Sequence, residues 1–284
     1  MNSDPSAPSP VIDSHHHLWR YSPTEYGWID DTMATLRRDF LPKDLVAELT
    51  QANIDGAIAV QARQALEETY WLLELAQTCP QIRGVVGWAP IASPTFEASL
   101  NQLATQPKLV GLRHVVQAEP TDFLDSPDFN RGMRALTQTH LIYDILIFER
   151  QLEEATRFID RHPHQQFVLD HIAKPKIAAG ELEPWRTRIR ELSKRPNVAC
   201  KLSGMVTEDS WSTWSLESLR PYLDTVVESF GPDRLLAGSD WPVCLVATTY
   251  TRWWQSLRNY FANFSPDDRT KIFGANPTRI YSLK

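Results

Sequence analysis

The chain has 284 residues with 29 Lys plus Arg against 35 Asp plus Glu, a formal charge of −6, so it offers no overall field for nucleic acid or an anionic membrane. Hydrophobic residues make up 42% and charged residues 23%, ordinary globular usage that excludes wholesale disorder. The longest apolar runs are strand-sized, such as 56–60 (GAIAV), far below the ~18 residues of a membrane span.

The first ten residues (MNSDPSAPSP) are rich in Pro and Ser and are expected to form a disordered lead, with one domain over 11–284. No basic segment followed by an apolar run opens the chain, so no secretory signal is expected. Short runs rich in Val, Ile and Leu follow at 10–14, 56–61, 83–88, 108–113, 142–148, 166–171, 197–203 and 234–239. Most lie roughly 25–35 residues apart, the length of a strand plus its covering helix. Their near-continuous apolar character fits parallel strands covered on both faces. Between them, Leu45, Leu49 and Ala52 share a helical face, as do Leu72, Leu75 and Ala76 ahead of Pro80. Further helices are expected at 93–106, 127–140 (closed by His140), 150–162, 184–194, 215–230 and 249–262; the seventh in chain order is followed by Gly231 and Pro232 as stop signals. Eight strands alternating with eight helices predict a single-domain (β/α)8 TIM barrel. An open doubly wound sheet is the structural rival, but no Gly-rich phosphate loop follows the first strand.

Reactive groups of such a barrel belong at the C-terminal ends of its strands. The first strand ends in Asp13-Ser14-His15-His16-His17. Alternation in an extended segment puts His15 and His17 on one face, facing the barrel mouth, with His16 turned away. Two imidazoles so placed suit a divalent ion such as zinc. A tag remnant would also give three His, but these follow a strand pattern (VID). The fourth strand ends in Arg113-His114, the fifth carries Tyr143-Asp144, the sixth ends in Asp170-His171 with Lys174 beyond, the seventh carries Lys201 and Ser203, and the eighth ends in Ser239-Asp240-Trp241. His140, His162 and His164 sit at helix ends and are set aside. Cys79, Cys200 and Cys244 are odd in number and scattered, which argues against disulfides or a Cys-based zinc site and for a cytoplasmic location.

The segments VIDSHHHLW (11–19), GLRHVVQ (111–117), FVLDHIAKP (167–175), CKLSGMVTE (200–208), RLLAGSDWPVC (234–244) and FGANPTRIY (273–281) together resemble the amidohydrolase superfamily. Within it they resemble the amidohydrolase 2 group, which includes L-fuconolactonase-like and L-rhamnonolactonase-like sugar-lactone hydrolases. The resemblance implies a site of His15, His17, His171 and Asp240, holding at most one divalent metal, zinc by preference; members of the group differ in whether activity needs a metal. No lysine stands at the end of the fourth strand to bridge two ions; His114 stands near that place and joins Asp240 and His171 as a catalytic candidate. The expected reaction is opening of a neutral sugar lactone, with Asp240 taking the proton of a water and returning it to the departing alkoxide. Arg113, Tyr143, Lys174, Lys201 and Trp241 are the substrate-binding candidates, with Trp19 and Trp28 as further aromatics near the rim. The rivals are a related decarboxylase or lactonase acting on an unsaturated or aromatic-derived acid, and a non-catalytic binding barrel. A small-molecule substrate is the only partner expected.

Overall fold

A computed structural model describes residues 9–284; of the expected lead over 1–10, residues 1–8 lie outside the described residues. Eight strands, β1 (Ile12–His16), β2 (Gly56–Val60), β3 (Ile82–Gly87), β4 (Leu109–Val115), β5 (Ile142–Leu146), β6 (Phe167–Leu169), β7 (Val198–Leu202) and β8 (Leu235–Ala237), pair in chain order, every pair parallel. β8 itself is short. The chain just beyond it joins β1 through a parallel bridge between His16 and Trp241. Asp240 N donates to His15 O at 2.8 Å and His17 N to Trp241 O at 2.6 Å. The sheet thus becomes a (β/α)8 barrel, closed at its C-terminal end.

The covering helices are α1 (Pro42–Ala52), α2 (Leu66–Thr78), α3 (Phe96–Leu103), α4 (Pro127–Leu136), α5 (Leu152–Arg161), α6 (Trp185–Leu192), α7 (Leu216–Phe230) and α8 (Tyr250–Tyr260); two short ones, α9 (Pro266–Thr270) and α10 (Asn276–Ile280), end the chain. Local chemistry sets their limits. α4 starts at Pro127 behind Ser126, whose Oγ accepts from Phe129 N. It stops at Leu136, four residues before His140. Thr137 and Thr139 donate their hydroxyls back to Met133 O (2.8 Å) and Leu136 O (2.7 Å), which satisfies the last carbonyls and lets the chain turn early. Asn53 ends α1 in the left-handed region at φ 54.

One apolar layer joins strands to helices, with Leu45, Leu72, Phe129, Phe158 and Leu223 among its members. A separate inner cluster includes Ile12, Ile58, Val86, Val110, Ile142 and Val168 and is capped by Ile280 and Tyr281 from the chain end. The lower half of the barrel is therefore a dry apolar plug. Above it the inward side chains turn polar. No helix among the described residues is long and apolar enough to cross a membrane.

Candidate active site

Asp13 ties the two ends of the sheet together. Its carboxylate accepts from Ser239 N (2.9 Å), Ser239 Oγ (2.6 Å) and Tyr250 OH (3.0 Å); burial pushes it up to about 6, against these hydrogen bonds. The β1–β2 register shifts between Asp13 and His16, which breaks the alternation begun by the inward Ile12, and beyond the shift His15 and His17 face the site. His16 turns away; both its ring nitrogens are buried without a partner among the described residues, and burial, then His17, push it down to about 3.

Asp240 follows β8 with φ 58, and His171 follows β6 with φ 52, the first of four consecutive left-handed residues through Lys174. Each such non-glycine residue costs about 1–2 kcal/mol, so the turn must be held. Lys174 N donates to His171 O (2.8 Å), and the buried Trp185 Nε1 donates to Ile172 O (2.8 Å). Gly204, itself at φ 63, makes room: a Cβ there would lie 2.6 Å from His171 Nδ1.

These turns bring three imidazoles to one carboxylate. Asp240 Oδ1 lies 3.3 Å from His17 Nε2, 3.7 Å from His15 Nε2 and 3.8 Å from His171 Nε2. The other ring nitrogens are occupied. His17 Nδ1 donates to Val60 O (2.8 Å), and His171 Nδ1 pairs with Ser203 Oγ (2.9 Å). Burial pushes His171 down to about 4, against the pull of Asp240. Burial alone would raise Asp240, but the imidazoles around it, His171 first, hold it well below the usual carboxylate range. It is the ionised partner of the cluster.

Beneath lies a buried ion network in place of the usual aliphatic layer. Arg113 Nη1 donates to Asp170 Oδ2 (2.9 Å) and faces His15 Nε2 (3.3 Å); Nη2 donates to Gln61 O (2.5 Å). Lys201 Nζ reaches Asp144 Oδ2 (2.5 Å), Asp170 Oδ1 (3.0 Å) and His15 Nδ1 (3.2 Å). Tyr281 OH donates to Asp144 Oδ1 at 2.8 Å. Burial would raise Asp170, but Lys201, then His15 and Arg113, hold it well below its ordinary value. Two cations answer two carboxylates, so Asp240 has no cationic side chain of its own.

That surplus charge bears on a metal. His15 and His17 present Nε2 atoms 3.2 Å apart beside the Asp240 oxygen, and only a proton or a cation can sit favourably among them. The ligand atoms of His15, His171 and Asp240 lie within 4.8 Å of one another, the only such group among the described residues. A tetrahedral ion with bonds of ~2.0–2.2 Å spaces its ligands ~3.3–3.6 Å apart. The donor types fit one divalent ion, and the 3.7 and 3.8 Å from Asp240 Oδ1 to His15 and His171 lie a few tenths of an ångström outside that spacing.

His17, His171 and Asp240 of the cluster line a cavity of about 480 Å³, together with Glu25, Trp28, Arg63, Gln64, Arg113 and Lys174, while His15 lies behind them, fully buried. The other expected binding residues lie elsewhere. Tyr143 is fully buried and packs outward among Phe129, Phe158 and Phe167; its large ring suits the helix layer. Lys201 is buried in the network below the cavity. Trp241 is buried edge-on against Phe40. His114 also points away: its Nε2 pairs with Glu119 Oε1 (2.7 Å), its Nδ1 accepts from Trp88 Nε1 (3.2 Å), and its ring stacks on Phe123. It follows Arg113 on β4, and one strand cannot turn two successive side chains inward. Trp19 is buried too, which leaves Trp28 as the cavity's aromatic. Arg63, Glu25 and Asp170 were not expected in these roles. Asp170 had a signal in its position before His171; Arg63 sits in an unremarkable polar stretch (QARQALEE).

The profile of the Amidohydro_2 family, described as amidohydrolase, matches residues 12–283. The chain belongs to this family. It is a hydrolase. Relatives of the Amidohydro_2 chain include an L-fucono-1,5-lactonase of Burkholderia multivorans, 39% identical with 96% of each chain covered. An L-fucono-1,5-lactonase of Burkholderia ambifaria is 33% identical over 96% of this chain and 95% of its own. Among solved structures, a zinc-bound amidohydrolase of Burkholderia multivorans superposes with a TM-score of 0.93 at 38% identity, covering 97% of this chain and all (100%) of that one.

Proposed function

We propose that this amidohydrolase opens a neutral sugar lactone to its aldonic acid, with Asp240 as the base that activates water. The observation that carries the reading is the convergence of three imidazoles on an ionised carboxylate that, with two of them, lines a ligand-sized cavity. Asp240 is ionised throughout the neutral range and accepts the proton of a water held against it and the His17 and His171 Nε2 atoms. The hydroxide attacks the lactone carbonyl carbon. Arg113, rigidly held by Asp170 and Gln61, offers fixed positive charge for the oxygen that becomes negative. The bond from that carbon to the ring oxygen then breaks, the alkoxide takes the proton back from Asp240, and the product is the open hydroxy acid. His15, His171 and Asp240, with His17 alongside, would hold a divalent ion, zinc by its taste for nitrogen and carboxylate donors; when bound it would supply a Lewis acid and a more acidic water.

Neutrality of the substrate follows from charge pairing. Each cation lining the cavity already faces a carboxylate: Arg113 faces Asp170, Lys174 faces Glu208 at 3.4 Å, and Arg63 faces Glu25. A dicarboxylate finds no uncompensated charge there. A panel of aldonolactones followed with a pH indicator, with and without chelator, tests the reaction. Asp240→Asn is expected to lower kcat on the best lactone by at least about 100-fold; near-normal kcat in that variant discards Asp240 as the base.

A further inference from the structure

Two loops contribute Glu25, Trp28, Ala62, Arg63 and Gln64 to the cavity lining. The first runs from Arg20 to Asp30 after β1. Tyr26 and Ile29 in it are buried, and Trp28 between them is turned out, 42% exposed. Only Trp28 and Tyr70 are large apolar side chains exposed among the described residues, and only Trp28 lines this cavity. Its indole is fixed. It meets the buried Trp19 edge to face at 5.9 Å and 90°, and Trp19 Nε1 donates to Arg38 O at 2.9 Å. An exposed, oriented aromatic face at a pocket is a ready contact for the C–H face of a ring.

The second loop carries Arg63 after β2. Its guanidinium bonds Glu25 of the first loop, lies 5.7 Å from the Tyr26 ring, and sits beside the buried Glu68 at 3.7 Å. Glu68 in turn accepts from Ala62 N (3.0 Å), Arg63 N (2.8 Å) and Tyr26 OH (3.3 Å). The backbone and side chain of Arg63 are thereby held, yet among the described residues its guanidinium makes one hydrogen bond, to Glu25. Its Nε is buried towards Glu68, and the Nη donors not used by Glu25 are left for a ligand. Beside them Glu25 is a partly exposed acceptor. A donor fork next to a carboxylate matches neighbouring hydroxyls, one accepting from Arg63 and one donating to Glu25.

Building on the lactonase reading, we infer that Trp28, Arg63 and Glu25 form the subsite that selects hydroxylated lactone rings. Trp28 covers the C–H face of the ring, and the Arg63–Glu25 pair reads its hydroxyls. These residues set specificity and touch no reacting atom.

The test compares the aldonolactone that the wild-type enzyme opens best with unsubstituted δ-valerolactone. Trp28→Leu and Arg63→Met are each expected to raise KM for the sugar lactone about tenfold, the scale of a lost charge-assisted hydrogen bond or stacking contact, with a smaller effect on kcat. The preference for the sugar lactone over δ-valerolactone falls by a similar factor, and Trp28→Phe restores part of it. Calorimetric titration of the aldonate product should show the same weakening in both variants. Equal losses on both lactones, or an unchanged KM, overturn the subsite. A wild-type enzyme that opens no lactone instead removes the lactonase reading on which the subsite rests.

Discussion

One wall of the cavity is made by strand ends and the other by loops, and they solve the placement of polar groups differently. His15, His17, His171 and Asp240 are buried, and the far ring nitrogens of the three histidines meet backbone, Ser203 or the network of Arg113, Asp170, Lys201 and Asp144. Trp28, Glu25 and Arg63 are partly exposed and lean on a few contacts from Trp19, Tyr26 and Glu68. A group that must hold a proton or ion in one geometry needs the rigid wall; groups that admit and sort a ring can sit on the softer one.

The largest effect is expected from removing the support beneath the rigid wall. Lys201→Met leaves Asp144 and Asp170 buried without their shared ammonium, a loss of about 3–5 kcal/mol. In a scan this should read as a Tm decrease of about 6–12 °C. A Tm within roughly 2 °C of wild type would show that the network carries no such weight. Gly204→Ala comes next. The added methyl must push the His171 ring aside in a backbone already left-handed, so kcat is expected to fall at least about tenfold while the protein remains folded by circular dichroism; full activity would mean that the His171 placement is unimportant.

The smallest effect belongs to the loop wall. Burial pushes Glu68 up to about 7, against the two backbone N–H groups and Arg63 that pull it down. A carboxyl that binds its proton more tightly folded than unfolded destabilises the fold only where it must ionise. That loss starts above the unfolded value near ~4.3 and is complete above about 7. Glu68→Gln removes it. The Tm difference, variant minus wild type, should widen by a few degrees from pH 4.5 to 7.5; parallel profiles would assign Glu68 no ionisation cost.

The same division decides what could be read without coordinates. β-strand periodicity located all eight strands because parallel buried strands are apolar throughout, and the strand ends then pointed to His15, His17, His171, Asp240 and Arg113. Alternation along a strand also carried the sorting of His16 from its neighbours. At β4 the same rule turns Arg113 inward and His114 outward, so the two candidates on that strand cannot share the site. Tyr143 packs outward for the same reason, since its neighbour Asp144 takes the inward place. Lys201 was found at the right strand but the wrong depth, because periodicity gives a face and no height within the barrel. Arg63 and Glu25 had no local pattern at all; they meet only when two loops meet.

Ring closure carries a consequence for synthesis. The bonds that join Asp240 and Trp241 to His15 and His17 unite the earliest and latest parts of the barrel. A nascent polypeptide that has produced seven strands carries every imidazole of the cluster but not its carboxylate, so the cluster is complete only when the segment after β8 has joined β1.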